Sequence, residues 1–231
     1  MKSATLNQIL RDRDGKFPVV LATKLKSGEE HLIYPSDLDG KNGLDPAIVD
    51  GARDAFRSDR SKTVETADGP VFFHVFNPPL RMIIVGAVHI AQPLARMAIL
   101  AGYDITIVDP RSSFATDERF PGVTLLTEWP DDALTTLAPD SRTAVVTLTH
   151  DPKLDDPALE VALKSGPFYV GSLGSRKTHA ARLHRLTEAG FSEEQMNRIN
   201  GPVGLAIGAR SPAEIAVSIL AQVTQALRQE S

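Results

Sequence analysis

The chain has 231 residues, 42% of them hydrophobic and 23% charged, with a formal net charge of −4 and no cysteine. That composition is ordinary for a globular protein, and a chain of this size buries roughly 70% of its unfolded surface without a metal or disulfide staple. The acidic balance argues against nucleic acid as a partner, and the lack of cysteine excludes disulfides, Cys-ligated zinc, iron–sulfur clusters and thiol catalysis by this chain. The opening "MKSATLNQILRDRDG" is too polar for a signal peptide. No apolar run reaches about 18 residues, so the expectation is a cytoplasmic protein with no membrane span.

The first region, residues 1–79, reads as a small α+β domain. "SATLNQILRDRDG" predicts a short helix with Ser3 as its N-cap. "FPVVLATKL" and "EEHLIYP" are β-rich runs joined by "KSG", a hairpin turn. "LDPAIVDGARDAFRS" places Leu44, Ile48, Ala52, Ala55 and Phe56 at helical spacing. "SKTVETADGPVFFHVF" predicts two strands folded across Asp68-Gly69. Pro78 and Pro79 fit neither a helix interior nor a central strand, so the domain boundary is set there.

Residues 80–231 alternate strand and helix. Met82–Val85, Ile105–Val108, Val123–Leu126, Thr143–Leu148 and Phe168–Val170 are short apolar runs, as expected of strands buried on both faces. Helical patterns fall between them, near 90–101, 131–137, 156–165 and 175–189. The alternation predicts an α/β fold with a doubly wound, mostly parallel, Rossmann-like sheet. In the last helix Ser211 stands at N-cap, Pro212 at N1 and Glu214 at N3, which is a capping box.

The stretch "VGAVHIAQPLARMAILAGYDITIVDP" is close to a dinucleotide-binding fingerprint. Gly86 follows the first strand, Ala91 takes the third small-residue position, and Asp109 ends the second strand, where a carboxylate can accept from a ribose diol. Val88, beside His89, replaces the second glycine, and its branched side chain obstructs close approach of a pyrophosphate to the backbone. The helix start still offers N–H groups and positive dipole. Nucleotide binding and a plain structural turn both remain open from these residues alone.

Three other stretches carry possible chemistry. "PRSSFATDERFPG" is a polar loop at a strand's carboxyl end, where Arg111 and Arg119 can clamp a phosphate or pair with Asp117 and Glu118. "TLTHDP" puts His150 and Asp151 past the fourth strand, fit for orienting a ligand or acid–base work, while Asp151 can equally begin the next helix. "YVGSLGSRKTHAARL" is a Gly-rich turn into a helix. Gly171, Gly174 and Ser175 can expose successive N–H groups, with Arg176 adding charge; the alternative is a plain turn with Ser175 as N-cap. It lacks the phosphate-loop lysine pattern.

Together, "VGAVHIAQPLARMAILAGYDITIVDPRSSFATDERFP", "VVTLTHDPKLD", "YVGSLGSRKTHAARL" and "NGPVGLAIGARSPAEIAVSIL" resemble the C-terminal Rossmann domain of the XdhC/CoxI family across residues 80–231. The resemblance implies a non-enzymatic maturation factor that binds molybdenum cofactor, as molybdopterin or its nucleotide form, for a xanthine dehydrogenase-type or carbon monoxide dehydrogenase-type enzyme. It implies a molybdenum hydroxylase client, a sulfurase as a further partner, and a homodimer or a heterodimer with a paralogue. The candidate cofactor-binding residues in this reading are Gly86, Val88, His89, Asp109, Arg111, His150, Asp151, Gly171, Gly174, Ser175 and Arg176, with no catalytic and no metal-ligating residue expected.

The departures concern the same site. The family commonly has glycine at Val88, aspartate at Ala206 and a histidine near Asn200. Residues 1–79 resemble it poorly, and the cysteine motifs of many members are absent, so a sulfurated cofactor cannot be held through a thiol of this chain. Two other readings stay open. One is an NAD(P)-dependent oxidoreductase, for which only His150 offers a proton donor and no Tyr-x-x-x-Lys pair exists. The other is a ligand-free regulatory paralogue.

Overall fold

A computed structural model describes residues 2–41 and 43–229. Contacts divide the chain into two compact units, Met1–Pro78 and Pro79–Ser231.

The first unit contains α1 (Ser3–Asp14), β1 (Val19–Lys24), β2 (Glu30–Ile33), a 3-10 turn (Pro35–Asp39), α2 (Pro46–Ser58), β3 (Lys62–Thr66) and β4 (Gly69–Phe76). Its four strands pair in the order β2-β1-β4-β3, all antiparallel. One sheet face packs Val20, Ala22, Val71 and Phe73 against Ile48, Ala52 and Ala55 of α2. Two helix starts differ from the sequence expectation. Ser3 is already helical, and Lys2 precedes it without a side-chain cap bond. Leu44 lies outside α2, which Asp45 caps by accepting from the Ala47 amide, with Pro46 in the first turn.

The second unit has β5 (Leu80–Val85), α3 (Ala91–Leu100), β6 (Tyr103–Val108), β7 (Thr124–Leu126), α4 (Pro130–Leu137) and β8 (Thr143–Thr147). There follow α5 (Pro152–Lys164), β9 (Tyr169–Ser172), α6 (Arg176–Glu188), α7 (Glu193–Met196), β10 (Ile199–Asn200) and α8 (Pro212–Arg228). The sheet runs β10-β9-β8-β5-β6-β7, and every pair is parallel. This is the doubly wound order whose reversal lies between β5 and β8. The sheet is therefore the Rossmann-like one that the strand–helix alternation predicts.

Side-chain alternation along the strands divides the core. Met82, Ile84, Ile105, Ile107 and Val146 face α3 and α8, whose Leu94, Ala98, Ile219 and Val223 cover them. Ile83, Val85, Val108 and Val145 face Leu134 of α4, Leu159 and Leu163 of α5 and Leu186 of α6. Because both faces are covered, the strands read as unbroken apolar runs. Each fully buried aliphatic side chain contributes about 1.5–3 kcal/mol over its exposed state. α5 begins at Pro152 rather than near 156, because Asp151 caps it and Pro152 occupies its first turn. The two-residue β10 was not expected; two residues are too few to carry a periodic signal.

α8 has the capping box read from the sequence: Ser211 Oγ accepts from the Glu214 amide at 3.3 Å, and Glu214 accepts from the Ser211 amide at 2.9 Å. Replacing Ser211 with alanine should lower the unfolding free energy by about 1 kcal/mol, measured by urea titration. Hydrogen bonds from the Ser211 and Arg210 amides hold the Glu214 carboxyl below its usual value. A carboxyl depressed by folding adds stability above its unfolded pKa and loses it as pH falls through the folded pKa. Glu214→Gln should accordingly flatten the acid limb of the stability curve.

Candidate functional site

The carboxyl ends of β5, β6, β8 and β9 form one rim. At the reversal point, Gly86 follows β5 at φ +108°, and its N–H donates to the Val108 carbonyl at 2.8 Å. A Cβ at Gly86 would lie 2.6 Å from Thr149 Cγ2, so a glycine is required both by conformation and by the approach of the β8 loop. Val88 is not in a helix. It lies in the turn before α3, partly buried against the sheet core, and its carbonyl accepts from Ala91 N–H at 3.1 Å. His89 beside it is exposed. Ile90 stands at the cap position of α3 and gives it no side-chain cap.

Asp109 is fully buried. One carboxylate oxygen accepts from the Arg111 amide at 3.0 Å and Nε at 2.9 Å; the other accepts from the Ala87 amide and Arg111 Nη2, both at 2.8 Å. A carboxylate offers about four acceptor positions, and all are used inside the chain. Burial pushes this carboxyl up, but the hydrogen bonds from Arg111 and Ala87 outweigh it and hold the pKa below the usual value. The ribose-diol role expected of Asp109 has no spare acceptor in this arrangement. Arg111 is equally engaged, forked on Asp109 and stacked on Phe114 at 4.7 Å, rather than extended as a phosphate clamp. Arg119 donates to the Phe114 carbonyl at 2.6 Å and stacks on Phe120 at 5.2 Å.

Beyond β8, His150 is exposed and adopts φ +63°, a left-handed conformation that non-glycine residues rarely take. Asp151 caps α5 by accepting from the Lys153 amide at 3.0 Å. The residue that organises this loop is Asp155, one helical turn on and 1% exposed. Asp155 accepts from the Thr149 hydroxyl at 2.7 Å, the Thr149 amide at 3.3 Å and the His150 amide at 3.1 Å. Burial raises its carboxyl pKa, against the pull of these donors and of Arg182. Arg182 of α6, 2% exposed, stands 3.9 Å from Asp155 and donates to the Leu173 carbonyl at 2.9 Å.

Gly171 does not present its N–H to a ligand. It lies within β9, buried and paired with both Val146 and Asn200, and a Cβ there would come within 2.7 Å of the Tyr169 ring. Gly174 and Ser175 do form the turn into α6, where Ser175 Oγ accepts from the Thr178 amide at 3.1 Å. Arg176 opens α6, exposed. This turn and the segment after β10 enclose an open cleft of 360 Å³, lined by Gly174, Arg176, Val203, Gly204, Ala206 and Ser218 among others. Asn200 is turned into the sheet, its amide donating to the Val170 carbonyl at 3.0 Å.

Asp155, Arg182 and the cleft went unread in the sequence. A signal existed for Arg182: with Leu186 it fills the buried face of α6, a charge at a core position of the helical repeat. Among the described residues no cluster of His, Asp and Glu is placed to hold a metal ion, and no helix is long and apolar enough to cross a membrane.

A six-stranded parallel sheet with a glycine turn at its reversal point defines a Rossmann-fold domain whose first turn is altered at Val88. The chain belongs to the XdhC Rossmann domain family, whose model matches residues 82–223. It is 36% identical over 148 residues to the molybdenum cofactor insertion chaperone PaoD of Escherichia coli, covering 64% of this chain and 40% of PaoD. It is 32% identical over 180 residues to a Bacillus subtilis protein named as a probable xanthine dehydrogenase subunit, covering 74% of this chain and 52% of that protein. The chain thus spans about half or less of the length of these relatives. A crystal structure described as a xanthine dehydrogenase from Bacillus halodurans shares the fold, with a TM-score of 0.66 at 23% identity over 97% of this chain and 64% of that one.

Two substitutions probe the rim. Gly86→Val forces a branched side chain into a positive φ and against Thr149, and should cost about 1–3 kcal/mol or more in unfolding free energy. Asp155→Ala leaves the Arg182 charge buried without its carboxylate and should cost about 3–5 kcal/mol, measured by denaturant titration.

Proposed function

We propose that the chain is an accessory protein that carries molybdenum cofactor, as molybdopterin or a nucleotide form, for a xanthine dehydrogenase-type or carbon monoxide dehydrogenase-type enzyme. The observation that carries this reading is membership of the XdhC Rossmann domain family together with 36% identity to a protein named as a molybdenum cofactor insertion chaperone. The cofactor is cargo in this reading, and the chain's part is to bind it, shield it and hand it over. The client is a molybdenum hydroxylase, with a sulfurase as a further partner, in the cytoplasm, from a homodimer or a heterodimer with a paralogue.

The donor set suits the phosphate end of such a ligand better than the metal end. There is no thiol in the chain, whereas the turn at Gly174 and Ser175, with Arg176, offers amides and a cation at a helix start. In this reading Gly86, Val88, His89, His150 and Asp151, on the loops after β5 and β8, meet the ligand, while Asp109, Arg111 and Gly171 support that rim from within the chain. Their role there is to seat the body of the ligand rather than to grip a ribose.

The NAD(P)-dependent alternative is disfavoured by two features. Asp109 has its acceptor positions filled by Ala87 and Arg111, and Val88 occupies the turn where a pyrophosphate would approach. The ligand-free alternative draws on the same Val88.

The test is to co-express a molybdenum hydroxylase with and without this chain, and to assay the client's specific activity and cofactor sulfuration. Client activity should rise with the chain present, and the purified chain alone should show no reduced-nicotinamide turnover with candidate substrates. His150→Ala should then reduce client activation only several-fold, whereas loss of a general acid–base would lower an enzyme's own turnover by about 10² or more. A client equally active in both cases, with His150-dependent NAD(P) turnover by the isolated chain, overturns the reading.

A further inference from the structure

The loop after β8 turns its amides inward. One oxygen of Asp155, which is 1% exposed, accepts from the Thr149 amide at 3.3 Å and the Thr149 hydroxyl at 2.7 Å; the other accepts from the His150 amide at 3.1 Å. The Thr149 hydroxyl itself accepts from the Asp151 amide at 3.0 Å. Three successive amides are therefore gathered, directly or through one hydroxyl, onto a single carboxylate. With its amides engaged in this way, the loop cannot cradle an anion as an open turn does. What it leaves facing out is the His150 side chain, which is exposed, and among the described residues no group bonds its ring.

Histidine suits this backbone poorly. At φ +63° a Cβ crowds its own main chain, and glycine or asparagine takes that conformation more easily. A turn needed only to begin α5 would be served by glycine, and Asp151 and Pro152 already supply that helix with its cap and first residue. Strain kept at an exposed side chain, and held there by a buried carboxylate, points to a use for that side chain. Its place in the fold agrees. Thr149 Cγ2 lies 2.6 Å from where a Cβ on Gly86 would stand, so the loop is fastened against the turn at the reversal point, and His150 follows directly.

We propose that Asp155 is a positioning residue for the ligand site: it holds His150 left-handed and so presents the imidazole, as a hydrogen-bonding group, to a polar atom of the ligand at the reversal point. The proposal rests on the reading that this rim carries the cofactor, and adds a buried residue behind the one that faces the ligand. The role requires a carboxylate. Both oxygens accept, so an amide at this position can keep Thr149 or His150 but not both. Thr149 brings two donors and retains the carbonyl oxygen, which turns the amide nitrogen on the His150 N–H, donor against donor.

Non-additivity tests it, with the full chain co-expressed with a molybdenum hydroxylase and the client's specific activity measured. Asp155→Asn should lower client activation several-fold, as far as His150→Ala does. Added to His150→Ala it should lower activation no further, because the ring it positions is gone. A merely structural Asp155 acts through the amount of folded chain, and would lower activation by the same factor whichever residue stands at position 150. Folding of every variant is checked by circular dichroism and soluble yield. Asp155→Asn leaves Arg182 without its carboxylate, and if that variant does not fold, Thr149→Val decides. Thr149→Val keeps a methyl against Gly86, takes one donor from Asp155 and should show the same non-additivity with His150→Ala. Equal factors in the two backgrounds, or folded variants that activate like the wild type, overturn the positioning role and leave the maturation reading standing. A client equally active with and without the chain overturns both.

Discussion

Between β5 and β8 the chain leaves the sheet in opposite directions, and the space at that point is set by the contact of Gly86 with Thr149. With φ at +108° and a β-carbon position 2.6 Å from Thr149 Cγ2, no other residue fits without displacing the β8 loop. The contact has a chain of dependants along the rim. Thr149 is held by Asp155 of α5, Asp155 stands beside Arg182 of α6, and Arg182 donates to the Leu173 carbonyl at the end of β9. One polar path thus runs from the β8 loop to the end of β9, and it holds His150 in its left-handed conformation on the way.

The two buried carboxylates on this rim behave oppositely for a physical reason. Burial pushes both up. Asp109 is brought back below its ordinary value because Arg111 forks onto it and two amides complete its shell. Asp155 stays above its ordinary value because burial outweighs its hydrogen bonds from Thr149 and His150 and the pull of Arg182, which stands off at 3.9 Å. The first pair is closed and self-sufficient, and offers a ligand little. The second leaves donors idle beside a cleft without carboxylates. Charge distribution, more than the glycine pattern, distinguishes the two ends of the rim.

Much of the fold was legible in the residues. The apolar runs at Met82, Ile105, Thr143 and Phe168 carry the strands, since a strand covered on both faces must be apolar throughout. Ser211, Pro212 and Glu214 carry the start of α8, because a cap is a local hydrogen-bond pattern written in four residues. Gly86 and Asp109 were legible as a turn and a strand end. Their partners were not: Asp109 meets Ala87 and Arg111, so its acceptors are consumed, and Gly171 lies within a strand rather than in an open turn. Local sequence therefore determined the elements, the order of strand and helix and the family, which depend on spacing along the chain. Only the tertiary structure decided which charges are satisfied. Whether Arg182 on α6 finds a carboxylate from α5 within reach depends on how two crossovers pack against one sheet, and no spacing along the chain encodes that distance.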